Sequence, residues 1–151
     1  GFTLVELLVV IAVVAALIVT GIGSFMGAQK STRDGRRKAN LNTIQKALES
    51  YYNDNGFYPA DLTTNNPLCA TTVNCYLTTL PTDPLGYTYY YVRGNVSGTN
   101  QSFQLYSTLE RTDDNGINTN QTANGYSSLC GTGATKCRYG TSSTNTTPAT
   151  P

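Results

Sequence analysis

The pattern of apolar and polar positions divides the chain into zones, the first of which is almost purely apolar. Residues 7–19 are an unbroken apolar run, and no charged residue occurs from 7 to 29. These 23 residues would form a helix of about 35 Å, enough to cross a hydrocarbon core of about 30 Å. Nothing basic precedes the run, as a secretory signal peptide requires, and its all-round apolarity does not suit a small soluble core. The pattern predicts a membrane-spanning helix over residues 1–28.

A second helical pattern follows directly, over residues 29–56. Polar residues on the side opposite its apolar face make this segment amphipathic, and residues 53–56 with Pro59 carry cap and breaker signals. We predict one continuous helix from Phe2 to about Tyr52, whose second half packs on a globular head. The predicted apolar face, spaced by three and four residues, consists of Leu41, Ile44, Ala47, Leu48 and Tyr51. The predicted polar side consists of Asn40, Asn42, Lys46 and Glu49.

Beyond Pro59 the composition shifts to Thr, Asn, Gly, Ser and Tyr. Residues 87–92 and 102–109 are rich in aromatic and β-branched residues and predict an antiparallel hairpin around a turn at 94–100. Tyr139 indicates a short third strand, and residues 81–86 a loop. The tyrosines indicate sheet and core positions, with a ligand-stacking row as the alternative. We place a β head at 57–140 and a flexible Thr/Ser/Pro tail at 141–151, so the predicted fold class is α+β.

Four cysteines form two closely spaced pairs. Of the three possible pairings we favour the two that close short loops, Cys69 with Cys75 and Cys130 with Cys137. A zinc site made of all four thiolates is the alternative. In zinc sites the two cysteines of a pair are usually separated by about two to four residues. Both pairs here are more widely spaced, which disfavours zinc. The predicted disulfides would hold loops that lack apolar packing.

Composition and charge mainly argue against particular classes of function. Ten basic and nine acidic residues give a net charge of +1, and His and Trp are absent. Without His the chain lacks the usual near-neutral acid–base group, and it carries no nucleophile elbow or phosphate-cradling loop, so no enzymatic activity is expected. Six cations are clustered, but no nucleic-acid recognition motif accompanies them, so we favour solvation or subunit contacts over nucleic acid. These cations are Lys30, Arg33, Arg36, Arg37, Lys38 and Lys46.

One acidic turn carries the candidate metal ligands Asp113, Asp114 and Asn115, followed by Gly116. Clustered oxygen ligands around a glycine turn are able to hold calcium. The same residues are also common turn formers, and the full twelve-residue calcium loop with its terminal Glu is absent. The sequence therefore requires no cofactor and leaves calcium as an open alternative at this turn.

The first residues, GFTLVEL, followed by the aliphatic run, resemble the class III signal of type IV pilins and the major pseudopilins of type II secretion. The resemblance implies the type IV pilin fold, cleavage by a prepilin peptidase between Gly1 and Phe2, and methylation of the new amine of Phe2. It also implies that Glu6 meets that amine on a neighbouring subunit, an ion pair in which each group relieves the other's desolvation. Gly1 departs from the pattern, because the peptidase normally leaves this residue on the discarded leader.

The resemblance further implies that residues 1–28 form the core of a filament and that the helix melts around Gly21 and Gly23. Close helix packing at Gly23 and Gly27 is the alternative. The implied function is that of a major pilin, held in the cytoplasmic membrane before inner-membrane machinery assembles it into an extracellular homopolymer. A major pseudopilin of a short periplasmic filament is the alternative, since the segment 36–59 is similar to both groups. A membrane-anchored binding module would leave the N-terminal signature unexplained.

Overall fold

One long helix and two small antiparallel sheets make up the fold. The computed structural model describes residues 1–62, 67–69, 74–96, 99–117, 126, 130 and 136–146. Strands β1 and β2 form a two-stranded sheet, and β3, β4 and β5 form a three-stranded sheet in that order. The predicted α+β class is confirmed. The elements are α1 (Leu4–Asn55), β1 (Leu68–Cys69), β2 (Cys75–Leu77), β3 (Tyr90–Val96), β4 (Thr99–Ser107) and β5 (Tyr139–Ser142).

Helix α1 has a defined cap at each end. Thr3 is the N-cap and forms a capping box with Glu6, so each residue's side chain accepts from the backbone of the other. At the C-terminal end Gly56 adopts φ 76°, a left-handed conformation suited to glycine, and its N–H donates to the Tyr52 carbonyl at 2.7 Å. The helix runs unbroken through Gly21 and Gly23, so melting at these glycines stays a prediction about the filament.

The amphipathic half of α1 packs on the head as its periodicity predicted. Leu41, Ile44 and Leu48 are at most 1% exposed and form a common core with Phe103 and Leu105 of β4. Burying this apolar face is the main force that holds helix and head together. The predicted face is therefore confirmed.

The predicted polar side of α1 is only partly correct. Asn42 and Lys46 are exposed. Asn40 instead lies against the head, where its amide donates to the Tyr89 hydroxyl at 2.8 Å. Glu49 accepts a hydrogen bond from the Tyr58 hydroxyl at 2.9 Å. These two residues lie at the margins of the apolar face, where the head is wide enough to reach them.

The predicted hairpin is confirmed with shifted ends. Strands β3 and β4 pair from Tyr90 opposite Tyr106 to Val96 opposite Thr99, so the turn is shorter than the sequence indicated. Gly94 was assigned to the turn but lies within β3 opposite Ser102, just before a shift in strand register. Glycine in a strand commonly marks such an irregularity, and it resembles a turn signal in sequence.

The predicted third strand is confirmed as β5, but the boundary of the tail at residue 141 is wrong. Residues 139–142 pair with β4. Ser143 then donates its backbone N–H to the Phe103 carbonyl at 3.1 Å, and the Asn145 amide donates to the Gln101 carbonyl at 2.6 Å. Backbone pairing needs no apolar side chains, so a polar segment joins the sheet edge. The head thus extends to residue 146, and the rest of the predicted tail lies outside the described residues.

Both predicted disulfides are present, and with no free thiol left they exclude the zinc alternative. Cys69 and Cys75 lie opposite each other in β1 and β2, a small sheet that the sequence did not reveal. Cys130 and Cys137 are fully buried in a second apolar cluster with Tyr106 and Tyr126. The tyrosines are thus core and sheet residues in this part of the head.

Removing the buried disulfide is expected to destabilise the head more than removing the other. The double variant C130A/C137A should lower the free energy of unfolding by ~2–5 kcal/mol, because it frees a loop and opens the cluster around Tyr106. The matched variant C69A/C75A should lose less, since Cys75 is exposed. Guanidinium unfolding of the chain in detergent, followed by tyrosine fluorescence, measures both. Equal losses of unfolding free energy in the two variants would show that the packing of Cys130 and Cys137 in the buried cluster adds no stability.

Candidate functional site

The N-terminal half of α1 is an exposed apolar surface. Every side chain described between Phe2 and Thr32 is exposed, and among them are sixteen large apolar ones, whose exposed fractions run from 48% at Val14 to 96% at Phe2. Soluble monomers rarely expose apolar patches larger than a few hundred Å². The helix is long and apolar enough to cross a membrane. This surface therefore requires a lipid or protein partner.

The predicted processing and assembly residues lie together at the start of this surface. Gly1, Phe2 and Glu6 line one open cavity of about 330 Å³. The Glu6 carboxylate accepts from the backbone N–H of Thr3 at 2.8 Å and from its hydroxyl at 2.7 Å. The capping box thereby holds the negative charge at the N-terminus of α1, where the helix dipole favours an anion. The carboxylate is thus held at the N-terminal end of α1, in the same cavity as Phe2.

At the other end of the apolar surface, a set of charged residues joins α1 to the head; we call it the clamp, and it consists of Arg33, Asp34, Arg37, Asp83 and Glu110. The fully buried Arg37 donates to Asp83 at 2.5 and 3.2 Å, to Asp34 at 2.7 Å and to Glu110 at 2.8 Å. Arg33 donates to both oxygens of Glu110, at 2.7 and 2.6 Å. Such paired, bidentate contacts satisfy a buried guanidinium that would otherwise be very costly.

Asp34 ties the same helical turn to the backbone of the head. Its carboxylate accepts from the N–H groups of Glu110 and Arg111, each at 3.0 Å. The loop after β4 is therefore held to α1 by side-chain and backbone hydrogen bonds at once. This fixes the direction in which the apolar half of α1 leaves the head.

Three of the six clustered cations form ion pairs within the chain, so for them the expected solvation or subunit contact is wrong. Arg33 and Arg37 belong to the clamp, and Lys38 pairs with Asp114 of the acidic turn. Arg36 is exposed and has no ion pair within the described part of the chain. The i,i+3 spacing of Asp34 and Arg37 is a local signal for one pair. Asp83 and Glu110 lie far along the chain, so sequence reasoning missed them.

The electrostatics of the clamp follow from these contacts. Burial alone would lower the pKa of Arg37, but its hydrogen bonds to Asp83, Glu110 and Asp34 outweigh burial and raise it. The hydrogen bond from Arg33, reinforced by Arg37, lowers the pKa of Glu110 from 4.5 to about 2. Arg33, Arg37 and Glu110 are therefore charged at neutral pH.

Acid is expected to weaken the clamp through Glu110. Because its pKa is depressed in the folded chain, its contribution is complete above pH 4.5 and is lost as the pH falls towards 2. Each proton taken up on unfolding gives a slope of at most ~1.4 kcal/mol per pH unit in this window. Unfolding measured across that range should show a smaller slope in Glu110→Gln and an unchanged one in Asp61→Asn, whose side chain is exposed. An unchanged slope in Glu110→Gln would contradict this role.

The acidic turn is engaged by cations of the chain itself. Asp113 accepts from Arg111 at 3.0 and 2.7 Å, a contact that lowers the pKa of Asp113. Asp114 pairs with Lys38 and accepts from the Gly116 N–H at 2.8 Å. Within the described ranges no three acidic, Cys or His side chains are grouped as a metal site would need. Calcium at Asp113, Asp114 and Asn115 stays an untested prediction.

The chain is similar to known proteins of two kinds, a secretion-system protein and a pilus component. Residues 24–124 match the model of the family described as type II secretion system, protein G. The chain is 41% identical over 61 residues to the type IV wide pilus major component PilA4 of Thermus thermophilus, covering 40% of this chain and 47% of that relative. It is 31% identical over 117 residues to the type II secretion system core protein G of Pseudomonas aeruginosa, covering 71% of this chain and 80% of that relative. No solved structure matches significantly.

Proposed function

Because the chain belongs to the type IV pilin and major pseudopilin family, as a member of the type II secretion system protein G family, we propose that it is a structural subunit that polymerises through α1. The observation that carries this proposal is the exposed apolar surface from Phe2 to Met26. In a helical filament the same surface of many copies packs together and is shielded from water. No catalytic step is part of the proposed function.

Specificity in such a filament requires more than apolarity. Side chains that move from lipid to protein gain little of the usual ~25 cal/mol per Å², so close packing and polar contacts must select the partner. We assign that selection to Glu6, which meets the Phe2 amine of a neighbouring copy. The capping box prepares the carboxylate for this contact, because it holds Glu6 at the very end of the helix.

Our main proposal is an extracellular filament of the type IV pilus kind, with this chain as its major component. It is supported by the similarity to the Thermus pilus component, although the match spans about half of that relative. The alternative is a major pseudopilin of a short periplasmic filament that aids protein export. It is supported by the longer match to the Pseudomonas core protein G.

Assembly of either filament involves further partners. We propose that a prepilin peptidase cleaves after Gly1 and methylates Phe2, and that α1 holds the subunit in the cytoplasmic membrane until inner-membrane machinery extracts it. The clamp keeps the head at a fixed angle to α1 during this transfer, since it links three parts of the chain at the base of the head.

Mass spectrometry of the surface fraction sheared from producing cells tests the proposal. A pilus predicts abundant chain whose first residue is methylated Phe2. Chain that is processed but confined to the membrane fraction would support the pseudopilin instead. Chain that still carries Gly1 in an abundant surface filament would contradict the proposed role of the Phe2 amine.

A further inference from the structure

A polar notch lies where α1 leaves the head. It is an open cleft of about 610 Å³ between one turn of α1 and the loop after β4. The uncharged stretch of α1 ends at Gln29, so the notch begins at the boundary between the apolar helix and the head. We define the notch by its lining residues: Gly27, Ala28, Lys30, Ser31, Glu110, Arg111, Thr112 and Asp113.

Lys30 lies on the face of α1 that is turned towards the head. It precedes Asp34 by four residues and Arg37 by seven, and residues with these spacings share one face of a helix. Asp34 and Arg37 are buried under the loop, whereas Lys30, one turn below, is exposed in the notch. Among the described residues no ion pair includes Lys30.

The other charged groups that line the notch already have ion-pair partners, so Lys30 is the lining charge without one among the described residues. Arg111 faces Lys30 across the cleft, where it bonds to Asp113 and donates to the Ser31 hydroxyl at 3.3 Å. The charge of Glu110 is already offset by Arg33 and Arg37. An anion that enters the notch would therefore meet the unpaired ammonium of Lys30, with the hydroxyl of Ser31 and part of the Arg111 guanidinium beside it.

We infer that the notch binds the phosphate of an anionic phospholipid while the subunit is in the membrane. This inference rests on the membrane-inserted stage of the proposed function. A span of 23 uncharged residues places Lys30 at the level of the lipid headgroups on the side of the head. Binding one headgroup between helix and loop sets the depth of α1 and holds the head close to the bilayer. The site is vacated when the subunit is extracted into a filament.

The test places the full chain in nanodiscs of phosphatidylcholine containing a minor fraction of phosphatidylglycerol. Native mass spectrometry then measures how much phosphatidylglycerol stays bound. Lys30→Gln is expected to retain roughly fivefold less, as the loss of one basic residue worth about 1 kcal/mol predicts. The matched control is Lys46→Gln, an exposed cation of the same helix about 24 Å further along at roughly 1.5 Å per residue. It should retain as much as the unchanged chain.

Four results would overturn the inference. Equal retention in Lys30→Gln and the unchanged chain would exclude Lys30, and equal losses in both variants would indicate nonspecific surface charge. Displacement of the lipid by excess inorganic phosphate would indicate a site for the free anion. A Lys30→Gln variant that keeps its lipid but forms fewer filaments would assign the notch to a carboxylate of a second copy. A chain that does not enter the nanodisc at all would instead contradict the proposed function.

Discussion

Arg37→Ala is expected to lower the free energy of unfolding by ~3–5 kcal/mol. The substitution leaves Asp34 and Asp83 buried without a positive partner, and Asp83 is only 5% exposed. It also removes the shared hydrogen bond that holds Glu110. Denaturant unfolding of the full chain in detergent, followed by circular dichroism, measures this loss.

The neighbouring Arg36 provides the matched control for this variant. Its side chain is exposed, so Arg36→Ala should change the free energy of unfolding by no more than ~0.5 kcal/mol. Arg37→Lys should recover little of the loss, because an ammonium cannot reproduce the two contacts that the guanidinium makes with Asp83. Similar stabilities for the Arg36 and Arg37 variants would show that the clamp does not stabilise the head.

Glu6→Gln is expected to reduce the yield of assembled filament by ~100-fold or more, with no loss of folding. Glutamine can still accept the hydrogen bonds of the capping box, so the variant removes the charge and keeps the cap. Each subunit interface would then contain a Phe2 ammonium without its carboxylate. The yield is measured by immunoblot of the sheared surface fraction and the fold by circular dichroism.

A complementary variant separates the cap from the charge. Thr3→Ala removes the hydroxyl that bonds to Glu6 but leaves the carboxylate in place. It should cost ~1 kcal/mol of helix stability and reduce filament yield far less than Glu6→Gln does. If the two variants assembled equally well, Glu6 would have only a capping role.

The features that the sequence predicted are those set by local spacing. Leu41, Ile44 and Leu48 recur at helical offsets, and burial of one helix face follows directly from that period. The pairing of Cys130 with Cys137 follows in the same way, because a short loop closes at little entropic cost. The exposed apolar surface is also a local property, since sixteen large side chains lie on one uninterrupted segment.

The features that the sequence did not predict depend on residues far apart in the chain. Arg37 was seen as one cation in a surface cluster, and only the folded chain brings Asp83 and Glu110 to it. Asp83 and Glu110 are single residues on two separate loops, so no periodic pattern in the sequence reveals that the Arg37 guanidinium is buried. The same reason explains why Asn40, whose partner Tyr89 lies 49 residues away, was assigned to the solvent side.

The sheet shows the limits of turn signals and composition. Gly94 indicates a turn by residue type, yet its place opposite Ser102 is fixed by backbone pairing with β4. Residues 141–146 lack apolar side chains, but β5 and the hydrogen bond from Ser143 to Phe103 hold them to the head. Backbone hydrogen bonds are common to all residue types, so composition alone does not reveal them.

In the proposed filament, the apolar surface of α1 is buried against other copies of α1. A photo-crosslinking residue in place of Val13, which is 54% exposed in the subunit, tests this most directly and leaves both disulfides intact. Illumination of the sheared filament fraction should give a ladder of crosslinked multimers of this chain. The same residue in an unassembled Glu6→Gln background should crosslink mainly to lipid. Filaments in which Val13 gives no crosslinked multimers would contradict the claim.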